Sequence, residues 1–197
     1  FKVENNHHHE SIFCLGNGYM GLRGTVEEDY SGPAKTTTPG FYINGFYDSE
    51  EIIYGEDAPQ LPTKSQTIVN LMDWTGINLY LGDEKLDLLK GEVLEYNREL
   101  DMRKGILERN FIWQSPSGKK VELEIIRLLS FSRKHEGLIN YRLRPLNFKG
   151  EIRIISKLNG NIQNHHHFRD KNVMKTKNSG FTNDRYYLHQ VTKESGL

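Results

Sequence analysis

Residues 11–24 read SIFCLGNGYMGLRG, and this stretch is the most informative part of the chain. Four glycines fall within nine positions of an otherwise apolar run. Glycine accepts dihedral angles that other residues avoid, and it lets neighbouring backbone approach closely. The stretch therefore predicts two short strands joined by a tight turn.

Three of these glycines also match G-x-G-x-x-G, the pattern of dinucleotide-binding loops: Gly16, Gly18 and Gly21. Such a loop needs a helix that begins at the last glycine and an acidic residue about 20 positions later. Here Gly24 and two β-branched residues follow, and residues 36–40 (TTTPG) contain no carboxylate. The match therefore does not indicate a nucleotide site.

Alternation of apolar and polar residues dominates the rest of the chain. Val121, Leu123 and Ile125 alternate with charged neighbours, as in a strand with one buried face. Gly82-Asp83 and the SPSG stretch at 115–118 predict hairpin turns. Strands are expected near residues 65–72, 79–81, 93–97, 111–113, 120–125, 138–144, 152–158 and 185–192.

Many short strands without intervening helices predict an all-β fold, a large antiparallel β-sandwich of roughly a dozen strands at a usual strand length. We expect one domain over 1–197, as a piece of a longer polypeptide. Segment 84–96 comes nearest to a helix, but Gly91 interrupts it. Residues 1–10 and 169–184 are polar, and we expect both to be mobile.

The composition excludes several classes of protein. The chain has 197 residues with 26 basic and 26 acidic side chains, so its net charge gives no reason to bind nucleic acid or an anionic membrane. No apolar run reaches the ~20 residues of a membrane span, and residues 1–4 (FKVE) do not resemble a signal peptide. The one cysteine, Cys14, rules out an internal disulfide and favours a reducing, cytoplasmic location.

Metal and nucleophile sites are not predicted. The histidine triplets at 7–9 and 165–167 lack a partner at zinc-like spacing, and successive residues of a strand face opposite sides, so polar loops are expected there. Cys14 lies between Phe13 and Leu15, which is typical of a small buried side chain. The acidic runs at 27–29 and 50–51 are interpreted as solvated.

Carboxylates and aromatics could serve sugar chemistry. Glu56 and Asp57 lie in a loop that follows Tyr54, and cleavage of a glycosidic bond needs an acid facing a second group. Trp74 could stack on a sugar, although large aromatics are more often buried. With Tyr42, these residues are the candidates for the rim of a sugar pocket.

Several blocks together resemble one known family. They are residues 10–24 (ESIFCLGNGYMGLRG), 39–47 (PGFYINGFY) and 70–77 (NLMDWTGI), supported by 100–105 (LDMRKG), 130–135 (SFSRKH) and 145–148 (PLNF). Their content and order are similar to the N-terminal domain of the maltose, trehalose and kojibiose phosphorylases of glycoside hydrolase family 65. The match spans nearly the whole chain.

The resemblance implies a large β-sandwich packed on a helical barrel. Enzymes of this family cleave an α-linked glucose disaccharide with inorganic phosphate, inverting the anomeric centre to give β-glucose 1-phosphate. The phosphate itself is the nucleophile, and no other cofactor is implied. The catalytic acid and the phosphate site belong to the barrel, so no catalytic residue is carried over to this chain.

The resemblance implies that this domain packs on the barrel, shares in a homodimer and contributes a loop to the pocket rim. Residues 40–62 contain few clear strand signals, and we expect this segment to form the rim or the interface. Arg23 and the 101–103 segment are expected to form structural ion pairs. Two alternatives stay open. One is a carbohydrate-binding module with a solvent-facing aromatic among Tyr42, Phe46, Tyr47 and Trp74. The other is the same domain of a trehalase-like hydrolase.

Overall fold

The computed structural model describes residues 6–56, 59–165 and 170–197. Within them lie one α-helix, α1 (Asn6–Ile12), a 3-10 turn at Ala34–Thr36, and sixteen strands. The strands are β1 (Leu15–Gly16), β2 (Met20–Leu22), β3 (Phe41–Ile43), β4 (Tyr47–Glu51), β5 (Lys64–Ile68), β6 (Ile77–Leu81), β7 (Glu84–Lys85), β8 (Glu92–Asp101), β9 (Ile106–Gln114), β10 (Lys120–Leu129), β11 (Gly137–Pro145), β12 (Ile152–Ser156), β13 (Asn164–His165), β14 (Asp170–Lys171), β15 (Met174–Thr182) and β16 (Arg185–Thr192).

Two antiparallel sheets form the body. The larger has the order β11–β10–β9–β8, with strands of nine or ten residues, and the second has the order β12–β6–β7. Strands β1, β2 and β3 form a small third sheet, and the pairs β4–β5, β13–β14 and β15–β16 complete the described strands. The all-β, antiparallel prediction is therefore confirmed.

The main core lies between the two larger sheets. Alternate residues of β9 and β10 are buried, as the period of two predicts. Trp113 is fully buried, and its indole N–H donates to the carbonyl oxygens of Asp87 (3.2 Å) and Lys90 (3.0 Å), so burying it leaves no unpaired donor. Its cluster contains Leu79, Leu81, Leu86, Leu88, Phe111, Trp113, Val121, Leu123 and Ile125.

The glycine-rich stretch forms the expected pair of short strands. Leu15 lies opposite Leu22 in the β1–β2 pair, and no helix begins at Gly21. Asn17 closes the turn, because its side-chain oxygen accepts from the backbone N–H groups of Tyr19 (3.0 Å) and Met20 (2.7 Å). The apolar residues of this sheet pack on β9 and β10 in a second core cluster.

Three predictions of local structure are wrong: a polar, mobile segment at the first histidine triplet, a mobile segment at 169–184, and a loop over 40–62. Residues 6–10 belong to helix α1, because the side chains of Asn6 and Glu10 are buried in tertiary contacts that no local pattern indicates. Most of the 169–184 segment is strand β15, and residues 41–51 include β3 and β4. His166, His167 and Arg169 lie outside the described residues.

Cys14 is exposed rather than buried. It lies between the end of α1 at Ile12 and the start of β1 at Leu15. Leu15 enters the core, while the Phe13 ring lies 4.7 Å from the Arg98 guanidinium carbon. Apolar neighbours in the sequence therefore did not imply a buried thiol. Among the described residues, no helix is long and apolar enough to cross a membrane.

A glycine at the start of β8 should be irreplaceable. Gly91 has φ +93°, and a Cβ there would lie 2.4 Å from the Gln114 carbonyl oxygen. Gly118 has φ +88° with open space around it, which makes Gly118→Ala the control. We expect Gly118→Ala to lower the free energy of unfolding by about 1–2 kcal/mol, and Gly91→Ala to lower it by clearly more, since it adds a backbone clash. Urea denaturation measures both, and equal losses would contradict the close approach.

Candidate functional site

Carboxylates and arginines form a buried network within the described part of the chain. Glu27 and Glu28 are each only 4% exposed, so the prediction of a solvated acidic run is wrong for them. They follow the glycine-rich stretch and lie against the inner face of the four-stranded sheet. Arg109 of β9 and Arg127 of β10 reach them from that face and are equally buried.

The contacts of the network are direct. The Nη2 atom of Arg109 donates to Glu27 Oε2 (2.5 Å) and to both carboxylate oxygens of Glu28 (2.8 and 2.6 Å). Arg127 Nη2 donates to Glu27 Oε1 and to the Thr25 carbonyl oxygen (2.8 Å). Burying a charge is tolerable only with a partner of this kind.

Three successive carbonyl groups also bind arginines. The carbonyl oxygen of Arg23 accepts from Arg127 Nη1 (3.4 Å), that of Gly24 accepts from Arg98, and that of Thr25 accepts from Arg127. A Cβ on Gly24 would lie 2.6 Å from the Phe13 carbonyl oxygen and 2.8 Å from Arg98 Nη2. Only glycine fits there, so the last glycine of the stretch allows the chain to enter the network.

The network changes the ionisation of its members. Burial alone would raise the pKa of Glu27, but Arg127 and Arg109 lower it to about 2. Burial raises the pKa of Glu28, while Arg109 opposes the shift. Burial would lower the pKa of Arg109, but Glu28 and Glu27 hold it well above its ordinary value. Burial, with Glu28 nearby, raises the pKa of the Tyr141 hydroxyl well above its ordinary value.

A further buried carboxylate, that of Glu10, fixes one flank of this segment. Glu10 accepts from the Thr37 hydroxyl (2.5 Å) and the Thr38 backbone N–H (2.7 Å), and lies 3.6 Å from Arg23 Nη2. That contact is the structural ion pair expected for Arg23. In the 101–103 segment, the ion pair joins Asp101 to Lys104 (3.0 Å).

Asp29 ties the same segment to the second sheet. Its two carboxylate oxygens accept from Lys85 and Lys157, and Asn78 of β6 donates to it at 3.1 Å. Burial alone would raise its pKa, but the hydrogen bonds from Lys157 and Lys85 lower it to about 2. Residues 23–29 are thus held by charges from both sheets.

A cavity of about 240 Å³ adjoins the network. It is lined by residues 25–30 and by Thr37, Pro39, Asp73, Gly76, Lys157 and Asn159. Its volume is below the ~300 Å³ at which ligand pockets begin, and Glu27 and Glu28 face arginines rather than a free site. Among the described residues, no group of three or more His, Cys, Asp or Glu side chains could hold a metal ion.

A wider concavity of about 620 Å³ lies on the outer face of the four-stranded sheet. Two cross-strand ion pairs form part of its wall, Glu122–Arg144 (2.5 Å) and Glu124–Arg142 (3.1 Å). Such pairs are ordinary on the solvated face of an antiparallel sheet. Aromatic rings for stacking on a sugar are lacking among its outward-facing side chains.

The structure places the sugar-pocket candidates apart from the network. Tyr42 is half-buried in β3, where burial raises the pKa of its hydroxyl. The half-buried Trp74 packs edge-to-face on Phe41 (6.1 Å between ring centroids) and on the second core cluster. Glu56 is exposed in the β4–β5 loop, and Asp57 lies outside the described residues.

The sequence did contain a signal for the network. Arg109 and Arg127 occupy inward positions of β9 and β10, between Leu107 and Phe111 and between Ile125 and Leu129. A charged residue on the buried face of a strand needs an opposite charge. Glu27 and Glu28 are the partners, but about 80 to 100 residues separate them from the arginines.

Comparison with known proteins decides the family. All 197 residues match the profile of the glycosyl hydrolase family 65 N-terminal domain. The chain belongs to this family. It is 45% identical over 164 residues to an α,α-trehalose phosphorylase of Thermoanaerobacter brockii, which covers 83% of the chain and 21% of that enzyme.

Two further similarities extend the comparison. A kojibiose phosphorylase of Caldanaerobacter subterraneus subsp. tengcongensis is 31% identical over 192 residues, which covers 96% of the chain and 23% of that enzyme. A solved structure from the human microbiome, provisionally named a kojibiose phosphorylase, matches with a TM-score of 0.83 and 26% identity over 98% of the chain and 25% of that protein. The family 65 domain thus spans about a fifth to a quarter of the length of these relatives, and its predicted fold is confirmed.

The network should stabilise the fold far more than a surface pair does. In Arg109→Met, Glu28 loses its guanidinium partner while buried, and we expect the free energy of unfolding to fall by about 3–5 kcal/mol. Arg142→Met breaks an exposed pair of the same type and should cost about 1 kcal/mol or less. Urea denaturation near neutral pH measures both losses, and similar values would refute the special role of the buried pair.

Acid should destabilise the domain through Glu27 and Asp29. Their folded-state pKa values, each about 2, lie below the unfolded values, so their contribution is present above about pH 4.5 and is lost as the pH falls toward 2. Glu28 acts in the opposite direction, because its pKa is raised. Asp29→Asn should flatten the fall in unfolding free energy between pH 5 and 2; an unchanged slope would show that Asp29 is not paired in solution.

Proposed function

We propose that this chain is the N-terminal domain of an inverting disaccharide phosphorylase. The parent enzyme would cleave an α-linked glucose disaccharide with inorganic phosphate and release β-glucose 1-phosphate and glucose. The observation that carries the proposal is the family 65 match over all 197 residues, together with phosphorylases among the relatives. Phosphate is the co-substrate, and the reaction needs no other cofactor.

Trehalose is the substrate that we favour. Identity is 45% with the trehalose phosphorylase and 31% with the kojibiose phosphorylase. Kojibiose is the second choice and maltose the third. This preference rests on the higher sequence identity alone, because the groups that would distinguish the glucose linkages belong to the barrel.

The domain itself is proposed to be catalytically silent. Inverting cleavage needs a carboxylic acid free to protonate the leaving oxygen and an oxygen nucleophile on the opposite face of the sugar. Glu27, Glu28 and Asp29 are bound to cationic side chains, and Glu10 is buried among donors. The domain would act by packing on the helical barrel, by contributing to a homodimer and by supporting the pocket rim, in a cytoplasmic enzyme.

A carbohydrate-binding module is the second candidate. Of the aromatics suggested for a sugar platform, Tyr47 is exposed (37%), whereas Tyr42, Phe46 and Trp74 are half-buried. Phe181 and Tyr186 offer a different platform near the tip of the β15–β16 hairpin, exposed at 57% and 77% with ring centroids 4.7 Å apart. Aromatic faces of this kind stack on sugars.

The proposal predicts no turnover by the 197-residue chain. We would incubate it with trehalose, kojibiose, maltose and nigerose, with and without phosphate, and measure glucose and β-glucose 1-phosphate. Release should not exceed that of a heat-killed control. Phosphate-dependent release would place the catalytic acid inside these residues, and phosphate-independent release would favour a hydrolase.

Retention on immobilised α-glucan separates the second candidate from the first. A binding module would be retarded, and Tyr186→Ala would abolish the retardation. A purely structural domain predicts that neither the parent chain nor Tyr186→Ala is retarded. Retardation of the parent chain would therefore contradict the first proposal.

A further inference from the structure

Three asparagine–glycine pairs occur in the chain: Asn17-Gly18, Asn44-Gly45 and Asn159-Gly160. In such a pair the backbone nitrogen of the glycine can attack the side-chain amide carbon of the asparagine. Glycine favours the attack because it has no Cβ to hinder the approach. In a folded protein the rate then depends on how freely the asparagine side chain and the peptide group between the two residues can rotate.

The side chain of Asn17 is held at both of its polar atoms. Its oxygen accepts from the backbone N–H groups of Tyr19 (3.0 Å) and Met20 (2.7 Å). Its amide nitrogen donates to the carbonyl oxygens of Ser130 (2.8 Å) and Lys134 (3.1 Å). The side chain would have to break these hydrogen bonds before the next backbone nitrogen could reach its amide carbon.

The pair at Asn159 is exposed, but its backbone is fixed. The Asn159 side-chain oxygen accepts from the Asn161 N–H group (3.0 Å). The Asn159 backbone N–H group donates to the Asp73 carbonyl oxygen (2.8 Å), and its carbonyl oxygen accepts from the Asp73 N–H group (2.9 Å). A Cβ on Gly160 would lie 2.6 Å from Gln190 Nε2, so the peptide group that follows Asn159 has little room to rotate.

The pair at Asn44 lacks such restraints. It forms the turn between β3 and β4, which one hydrogen bond closes, from the Phe46 N–H group to the Ile43 carbonyl oxygen (3.2 Å). Gly45 has φ +83°, as in a type II turn, and open space surrounds its Cβ position. Within the described residues, the Asn44 side chain, the Asn44 carbonyl group and the Gly45 N–H group make no hydrogen bond. The peptide group between them can therefore rotate without losing a contact.

Exposure to solvent does not by itself distinguish the three pairs. Asn44 and Asn159 are both exposed, and they differ in the hydrogen bonds that hold the side chain and the following peptide group. The difference is therefore local, and it belongs to the turn itself.

We propose that Asn44 is a site of spontaneous deamidation and isomerisation, and that this modification loosens the β3–β4 turn. The Gly45 nitrogen loses its proton and bonds to the Asn44 side-chain amide carbon. The bond from that carbon to the amide nitrogen breaks, and ammonia leaves with the proton, which closes a succinimide ring. Water then opens the ring at either carbonyl group and gives aspartate or isoaspartate. The inference does not depend on the proposed function.

The products differ from asparagine in ways that the turn would register. Both carry a negative charge, and isoaspartate also adds one methylene group to the main chain. The Asn44 N–H group donates to the Tyr19 carbonyl oxygen (2.8 Å), and Phe46 packs against the buried Val69 and Leu71. A longer main chain between these contacts should strain both of them, so the modified domain should be less stable.

Peptide mapping of the 197-residue chain tests the proposal. The folded chain and a sample in concentrated urea would be kept in the same mildly alkaline buffer, and portions would be digested with trypsin over time. Asn44 is the only asparagine of the tryptic peptide over residues 36–64. Mass spectrometry measures the replacement of the amide by a carboxyl group. Separate elution of two products of equal mass distinguishes aspartate from isoaspartate.

The folded chain should convert Asn44 faster than Asn17 by on the order of tenfold or more, because breaking a hydrogen bond to Asn17 adds to its barrier. Asn159 should also react more slowly than Asn44. In urea the three pairs lose their structural differences, and their rates should become similar. Asn44→Gln is the matched control: its ring would need one more carbon, so residues 36–64 should stay unmodified.

The stability of aged samples provides the second measurement. After equal incubation, the parent chain should unfold at a lower urea concentration than Asn44→Gln, whereas fresh samples of the two should unfold at the same concentration. Three outcomes overturn the proposal: conversion of Asn17 or Asn159 as fast as that of Asn44 in the folded chain, an Asn44 that reacts in urea but stays intact when folded, and equal unfolding of the two aged proteins.

Discussion

Two arginines on the inner face of the large sheet impose the constraint on which the N-terminal half depends. Arg109 and Arg127 cannot remain charged between packed sheets without carboxylates beside them. Glu27 and Glu28 meet that need, and this fixes residues 23–28 beneath the sheet.

The contacts of neighbouring segments follow from this placement. Gly24 must be glycine because the chain passes between the Phe13 carbonyl group and Arg98. Helix α1 then lies where Glu10 can bind the Thr37–Thr38 backbone and hydroxyl groups. Asp29 reaches the lysines of the other sheet. The buried carboxylates of this fold are therefore paired with cationic or hydrogen-bonding groups, which supports the proposal that the domain itself is catalytically silent.

Much of the fold could be predicted from local pattern. Alternation located β10, the strands expected near 111–113 and 138–144 correspond to β9 and β11, and the Gly82-Asp83 turn joins β6 to β7 as expected. Contacts between distant residues could not be predicted in this way. Helix α1 has seven residues and no apolar stripe, so only its tertiary contacts specify it. Glu27 and Glu28 resemble any surface run until the inward arginines of β9 and β10 are considered with them.

A double-mutant cycle on Glu27 and Arg127 measures whether the buried ion pair holds residues 23–29 beneath the sheet. The free energy of unfolding would be measured for Glu27→Gln, Arg127→Met and the combined variant near neutral pH. If the buried ion pair organises the N-terminal half, the double variant should lose less than the sum of the single losses, with a coupling of about 2–3 kcal/mol. Additive losses would mean that the two side chains are stabilised separately, and would contradict this account of how residues 23–29 are held beneath the sheet.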